Sequence, residues 1–193
     1  MCDLKYDFWL ASLININSGK RIQVRELCGS AQVVYGLREE TLKNMHLFTD
    51  NELQHLLESR KNDLNRAWER FLGQNIQMIP IGSRQYPQRL KDISQPPYAI
   101  FCKGSMPDAR KSVSIVGARM CSEYGRSIAA KLGKMLAEKD VQVISGMALG
   151  IDSASHAGAL QGKGSTFAVL GCGCDICYPK NARNLYENIQ TSG

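Results

Sequence analysis

From Ser112 onward the chain alternates short apolar runs with longer stretches of helical spacing, and this alternation limits the fold more than any other feature. The runs are Val113–Val116, Val141–Ile144 and Phe167–Leu170, apolar on both faces; the stretches between and after them are Ser122–Glu138, Asp152–Gln161 and the segment from Asn181. A β-α-β-α-β-α order with doubly apolar strands predicts a parallel sheet flanked by helices. Three such strands make the first half of a Rossmann-like, doubly wound sheet, and half a sheet is expected to leave a strand edge or a face open to association.

The preceding residues read differently. Leu42, Met45, Leu53, Leu56, Leu57, Leu64, Trp68 and Leu72 recur at intervals of three and four, the period of an amphipathic helix, so this stripe is predicted to be core. Breaks are expected at Asn17-Ser18-Gly19, Cys28-Gly29-Ser30 and Gly36, with N-caps at Thr49-Asp50 and Asn62-Asp63. Ile76–Pro80 and Tyr98–Phe101 read as short strands around the Pro-rich connection Ser94–Pro97. The expected organisation is an α/β chain with a small all-helical domain over residues 1–73, a linker leading into the sheet over 74–111, and a partial Rossmann-like domain over 112–193.

Charge is a weak guide to partners. The net +6 divides evenly, +3 on residues 1–105 and +3 on residues 106–193, so neither half is a basic arm. Lys20, Arg21 and Arg25 are expected on a solvated helix face. The seven cysteines are odd in number and irregularly spaced, and Met1-Cys2-Asp3-Leu4-Lys5 opens no signal peptide, which predicts reduced thiols in the cytoplasm. The longest apolar runs, such as Phe8–Ile14, fall far short of the roughly 20 residues a bilayer span needs, so no membrane partner is expected.

In an open parallel sheet, ligands bind beyond the carboxyl ends of the strands. The turns there read Gly117-Ala118-Arg119, Ser145-Gly146-Met147-Ala148-Leu149-Gly150-Ile151-Asp152 and Gly171-Cys172-Gly173. Glycine lets backbone N–H groups approach an anion, and the helix N-termini that follow add about half a positive charge each; tight strand-to-helix geometry alone also calls for glycine. Arg119 is the cation among these turns, able to grip a phosphate or stack on a base, with an ion pair to Glu123 as the structural alternative. Arg126 and Lys131 read as solvated-face charges. Asp152 and His156, four apart on one helix face, fit an acid/base pair or half a metal site, but a structural pair in which Asp152 caps the helix and His156 bonds it or the preceding turn is favoured. Cys172, Cys174 and Cys177 lack a fourth metal ligand, so no metal is expected. Gly117-Ala-Arg-Met-Cys-Ser departs from Gly-x-Gly-x-x-Gly, and Lys163-Gly164-Ser165-Thr166 departs from a phosphate loop, which leaves no dinucleotide or ATP cofactor supported.

The stretch Ser114–Arg119, then Ser122–Arg126, then Ser145–Asp152 with Ala154 and His156, closely resembles the DNA-processing protein A (DprA/Smf) family. The likeness continues through Ala159-Leu160, Ser165-Thr166, Ala168–Gly173 and Tyr178-Pro179, with Tyr86-Pro87, Leu90, Pro97 and Lys103-Gly104 upstream. The helical N-terminal region is similar to the family's sterile-alpha-motif-like domain. The resemblance implies a non-enzymatic protein of DNA recombination and natural transformation (competence) that binds single-stranded DNA, protects it on uptake, loads the recombinase RecA and forms homodimers. It implies a basic pocket that includes Arg119. Joined to the turn reading, it gives a DNA- or phosphate-binding set of Gly117, Arg119, Ser145, Gly146, Gly150, Lys163, Gly171 and Gly173, with Ser122, Asp152 and His156 as structural groups. Ser165 stands where the family often has lysine and Leu149 where it often has arginine, and the second half of the family's Rossmann domain lies beyond Gly193. Two alternatives are a nucleotide-binding enzyme similar to the phosphoribohydrolases, whose Pro-Gly-Gly-x-Gly-Thr turn the chain lacks, and a truncated piece without function.

Overall fold

Short helices persist between residues 3 and 72 because four of them carry side-chain N-caps and their apolar faces are buried. The computed structural model describes residues 3–192, and its first helices are α1 (Asp3–Ser12), α2 (Ser18–Cys28), α3 (Ala31–Gly36), α4 (Glu39–Asn44), α5 (Asp50–Ser59) and α6 (Leu64–Leu72). Asn17 caps α2 and Gly29 ends it with φ +79°; Ser30 caps α3, and Asp63 caps α6. Thr49 and Glu52 form a reciprocal capping box at α5, worth about 1 kcal/mol. Leu42, Leu53 and Leu56 of the apolar stripe are buried beside Leu10, Ile16 and Val34, and Met45, Leu57, Leu64 and Trp68 pack against them. Leu72 is the exception: it is 60% exposed, and Phe71 takes the core position, because the last turn of α6 presents one residue earlier than the stripe predicts.

Strands β1 (Gln77–Pro80) and β2 (Ala99–Cys102) pair as a two-stranded sheet, with the short helix α7 (Gln88–Lys91) between them. Tyr98, immediately before β2, is 1% exposed and donates its hydroxyl hydrogen to buried Asp7, which also accepts from Arg25 Nε at 2.9 Å. Burial and the adjacent carboxylate both raise the Tyr98 pKa, so the phenol stays protonated. Arg21 donates to the Ala11 carbonyl at 2.6 Å, and Lys20 pairs with Glu52 at 2.6 Å. These cations therefore do not form a free solvated face: the uncapped end of α1 and the buried carboxylate of Asp7 draw both arginines inward. The chain divides after Phe101 into two compact units, so the expected connection 74–111 is shared between them.

The second unit holds a parallel three-stranded sheet in the order β3 (Ser112–Ser114), β4 (Gln142–Ser145), β5 (Thr166–Ala168). Val113 aligns with Val143, and Val143 with Thr166. Helix α8 (Glu123–Ala137) links β3 to β4, α9 (Ile151–Gln161) links β4 to β5, and α10 (Arg183–Ser192) follows β5. At the amino edge Arg110 clasps Asp108, Asp140 and Ser165.

Helices α8 and α9 pack backbone to backbone. A Cβ on Gly133 would lie 2.2 Å from the Ser155 carbonyl oxygen, and one on Gly158 would lie 2.0 Å from that of Ala130. Ala129, Ala137, Ala154 and Ala159 complete a small-residue seam, so the two helices hold the ends of β4 at a fixed distance from its neighbours. Gly158→Ala is expected to lower unfolding free energy by about 3 kcal/mol, because backbone rather than a flexible side chain must move. Gly36→Ala, which meets nothing within 4 Å, serves as the tolerated comparison. Chemical denaturation followed by circular dichroism checks both; equal stabilities would show that the seam is looser than described.

Candidate functional site

The parallel order places three strand-to-helix connections at one edge of the sheet: residues 115–122 after β3, 146–150 after β4 and 169–182 after β5. The first two are locked together. Gly150, with φ +83°, abuts the first connection so closely that a Cβ would stand 2.2 Å from the Ala118 carbonyl oxygen and 2.5 Å from that of Arg119. Only glycine combines that backbone conformation with that approach. Ile151 N–H donates to Ala118 O at 3.3 Å, and the Ile151 side chain fills the space that a Cβ on Gly117 would need. Met147 also takes positive φ, +57°, while only 1% exposed, a strained position in the tight second turn.

Asp152 closes the lock. Its carboxylate is buried and accepts N–H groups from both turns, Gly117 N at 3.3 Å and Gly146 N at 3.2 Å. Contrary to the expectation from spacing, it does not cap α9: the N-cap residue is Gly150, which makes no side-chain cap bond. Placed in the first turn of α9, the carboxylate gains from the positive end of that helix while holding the ends of β3 and β4 together. His156 does not bond Asp152 either. Its Nδ1 lies 2.7 Å from Thr166 Oγ1, whose hydroxyl donates to the Val143 carbonyl at 2.9 Å, so Nδ1 carries the hydrogen. Asp152 and His156 lie one helical turn apart, so the first reaches the β3 and β4 turns and the second reaches β5. His156 is fully buried, and burial pushes its imidazole down to about 4, outweighing the attraction of Asp152; it is neutral at physiological pH.

The remaining predicted residues separate into three groups. Ser145 is 3% exposed and donates its hydroxyl to the Ile115 carbonyl at 2.6 Å, tying β4 to β3 rather than facing solvent. Ser122 is the N-cap of α8 and accepts from Gly125 N at 3.1 Å. Arg119, Gly171 and Gly173 are exposed on the carboxyl edge. The Arg119 guanidinium makes no hydrogen bond or ion pair with any described residue, and Glu123 instead faces Arg126 at 3.7 Å. Lys163 is not brought to this site. It occupies the turn between α9 and β5, which a parallel sheet puts at the amino edge, the side of the Arg110 clasp.

Exposed apolar side chains also stand on this edge: Met120 (95% exposed), Tyr124 (77%), Leu149 (46%) and Val116 around the first two connections, and Val169, Ile176 and Tyr178 on the third. Tyr124 is legible in the sequence as a residue off the inward stripe Gly125-Ala129-Gly133-Ala137 of α8; Met120 and Leu149 carry no periodic signal. In the third connection Cys172 donates weakly to Ile176 O, and Tyr186 donates to Cys174 O at 2.5 Å. Among the described residues no three His, Cys, Asp or Glu side chains are arranged to hold a metal ion, and none of their helices is long and apolar enough to cross a membrane.

Asp152→Ala removes the acceptor of two part-buried N–H groups, Gly117 and Gly146, and is expected to cost about 1–3 kcal/mol. Amide hydrogen exchange is the sharper measurement. Gly117 and Gly146 are expected to exchange slowly in the parent protein and fast in the variant; unchanged protection would dissociate the carboxylate from the lock.

Residues 77–193 match the DNA recombination-mediator protein A family. DNA processing protein DprA of Bacillus subtilis is 35% identical over 139 residues, covering 71% of this chain and 47% of that protein. Among solved structures, the X-ray structure of DNA processing protein A from Streptococcus pneumoniae superposes with a TM-score of 0.78 at 26% identity, covering 97% of this chain and 65% of that one. DNA processing protein A from Helicobacter pylori, described for its single-stranded DNA binding mode, shares the fold with a TM-score of 0.52 at 24% identity, over 61% of this chain and 53% of that one. The chain thus spans about half the length of the curated relative and under two thirds of the solved structures. It belongs to the DNA recombination-mediator protein A family, the DprA/Smf proteins.

Proposed function

We propose that this chain binds single-stranded DNA across the carboxyl edge of its parallel sheet, as part of a DNA-processing protein that does no chemistry on the strand. The observation that carries the reading is Arg119, an exposed guanidinium with no partner among the described residues, standing on a backbone locked by Gly150 and Asp152. A fixed cation at the topological edge where open α/β sheets bind ligands suits a polyanion. The relative from Helicobacter pylori, described as a single-stranded DNA binder, supports the same ligand. Family membership extends the proposal: in the cytoplasm, as a homodimer, the whole protein shields incoming DNA during natural transformation and passes it to RecA. The chain carries no Pro-Gly-Gly-x-Gly-Thr turn of the phosphoribohydrolase kind, so we assign it no nucleotide-cleaving step.

Arg119→Ala is expected to weaken binding to an oligothymidine strand by about 1–3 kcal/mol. It should also reduce the slope of log affinity against log salt by about 0.7 if the lost contact is one phosphate. Fluorescence anisotropy across a salt series measures both. Affinity unchanged at every salt concentration would sink the assignment of this edge.

A further inference from the structure

We infer that the carboxyl edge holds single-stranded DNA through its bases, stacked on Tyr124 and flanked by Met120 and Leu149, rather than through a cradle of backbone amides around a phosphate. The inference rests on the single-strand reading above and specifies how that ligand is held.

A glycine turn at a helix N-terminus binds phosphate when its N–H groups are free. Here they are not. Gly117 N and Gly146 N both point to the Asp152 carboxylate. Ile151 N is used by Ala118 O, Ser153 N by Ala148 O and Ala154 N by Gly150 O. The hydroxyl of Ser145 is committed to Ile115 O, and that of Ser153 to Ala148 O. Asp152 also sets a negative charge where the phosphate of a cradle would sit, so this position repels the ligand that the turn sequence suggests.

What the first two connections offer to solvent is one guanidinium among apolar groups. Gly150 abuts the Ala118 and Arg119 carbonyls, and Ile151 lies between the positions that side chains on Gly117 and Gly125 would take. Leu149 precedes Gly150 and Tyr124 precedes Gly125, so both flank the turn that carries Arg119 and Met120. Tyr124 makes no ring contact or hydrogen bond with any described residue, and it is 77% exposed. A flat, unpartnered aromatic beside a cation suits a nucleobase whose phosphate is met by Arg119, and every base has a face to stack.

The test compares an oligothymidine with an abasic deoxyribose-phosphate strand of equal length, titrated against the full chain and its Tyr124→Ala and Tyr124→Phe variants. The parent chain is expected to bind oligothymidine at least 5-fold more tightly than the abasic strand. Tyr124→Ala should lose about 5- to 100-fold on oligothymidine with no change on the abasic strand, and Tyr124→Phe should keep the parent affinity. Equal affinity of the parent chain for both strands, or an equal loss on both in Tyr124→Ala, overturns stacking while leaving DNA binding in place, and would leave the apolar cluster to a protein partner. Binding of neither strand overturns the single-strand reading itself, and the stacking inference with it.

Discussion

The buried carboxylate of Asp152 is the constraint on which this sheet edge depends. It gathers one N–H from the turn after β3 and one from the turn after β4, while α9 supplies the positive end of its dipole. Two connections that would otherwise be independent loops become one block, with the Gly150 backbone pressed against Ala118 and Arg119. The same bonds use the amides that make glycine turns attractive to anions. A rigid edge is obtained, with the Gly117 and Gly146 amides committed to the carboxylate.

Distance between the helices is set by a second constraint of the same kind. Gly133 and Gly158 admit the facing carbonyls of Ser155 and Ala130, and no larger residue fits without moving backbone. His156 anchors α9 to β5 through Thr166, so the helix is tied to all three strands by polar groups and to α8 by close packing. That is why a three-stranded sheet with few large buried side chains keeps its strand ends in register.

Much of this was legible in the sequence. The alternation after Ser112 implied the parallel order, and the caps at Asn17, Ser30, Thr49 and Asp63 lay at or beside residues with side-chain oxygens. Pattern could not assign a glycine to its task, since Gly117, Gly146 and Gly150 look the same whether they face a ligand or a neighbouring turn. Helical spacing put Asp152 and His156 on one face but could not say that each reaches a different strand. Lys163 resembled a site lysine by motif, yet chain direction places it at the opposite edge. Arg21 and Arg25 read as surface charge because the partners that turn them inward, the Ala11 carbonyl and the Asp7 carboxylate, are remote in sequence and silent about their burial.

An exposed cation and an aromatic ring on a locked edge give the account its central claim, that single-stranded DNA lies across the carboxyl ends of β3 and β4. Backbone amide chemical-shift mapping of the chain during titration with oligothymidine tests this most directly. The expected perturbations centre on Arg119, Met120, Tyr124 and Leu149, with small changes at Gly117 and Gly146. Perturbations centred instead on Arg110 and Lys163 at the amino edge, or confined to the helices of the first unit, would contradict it.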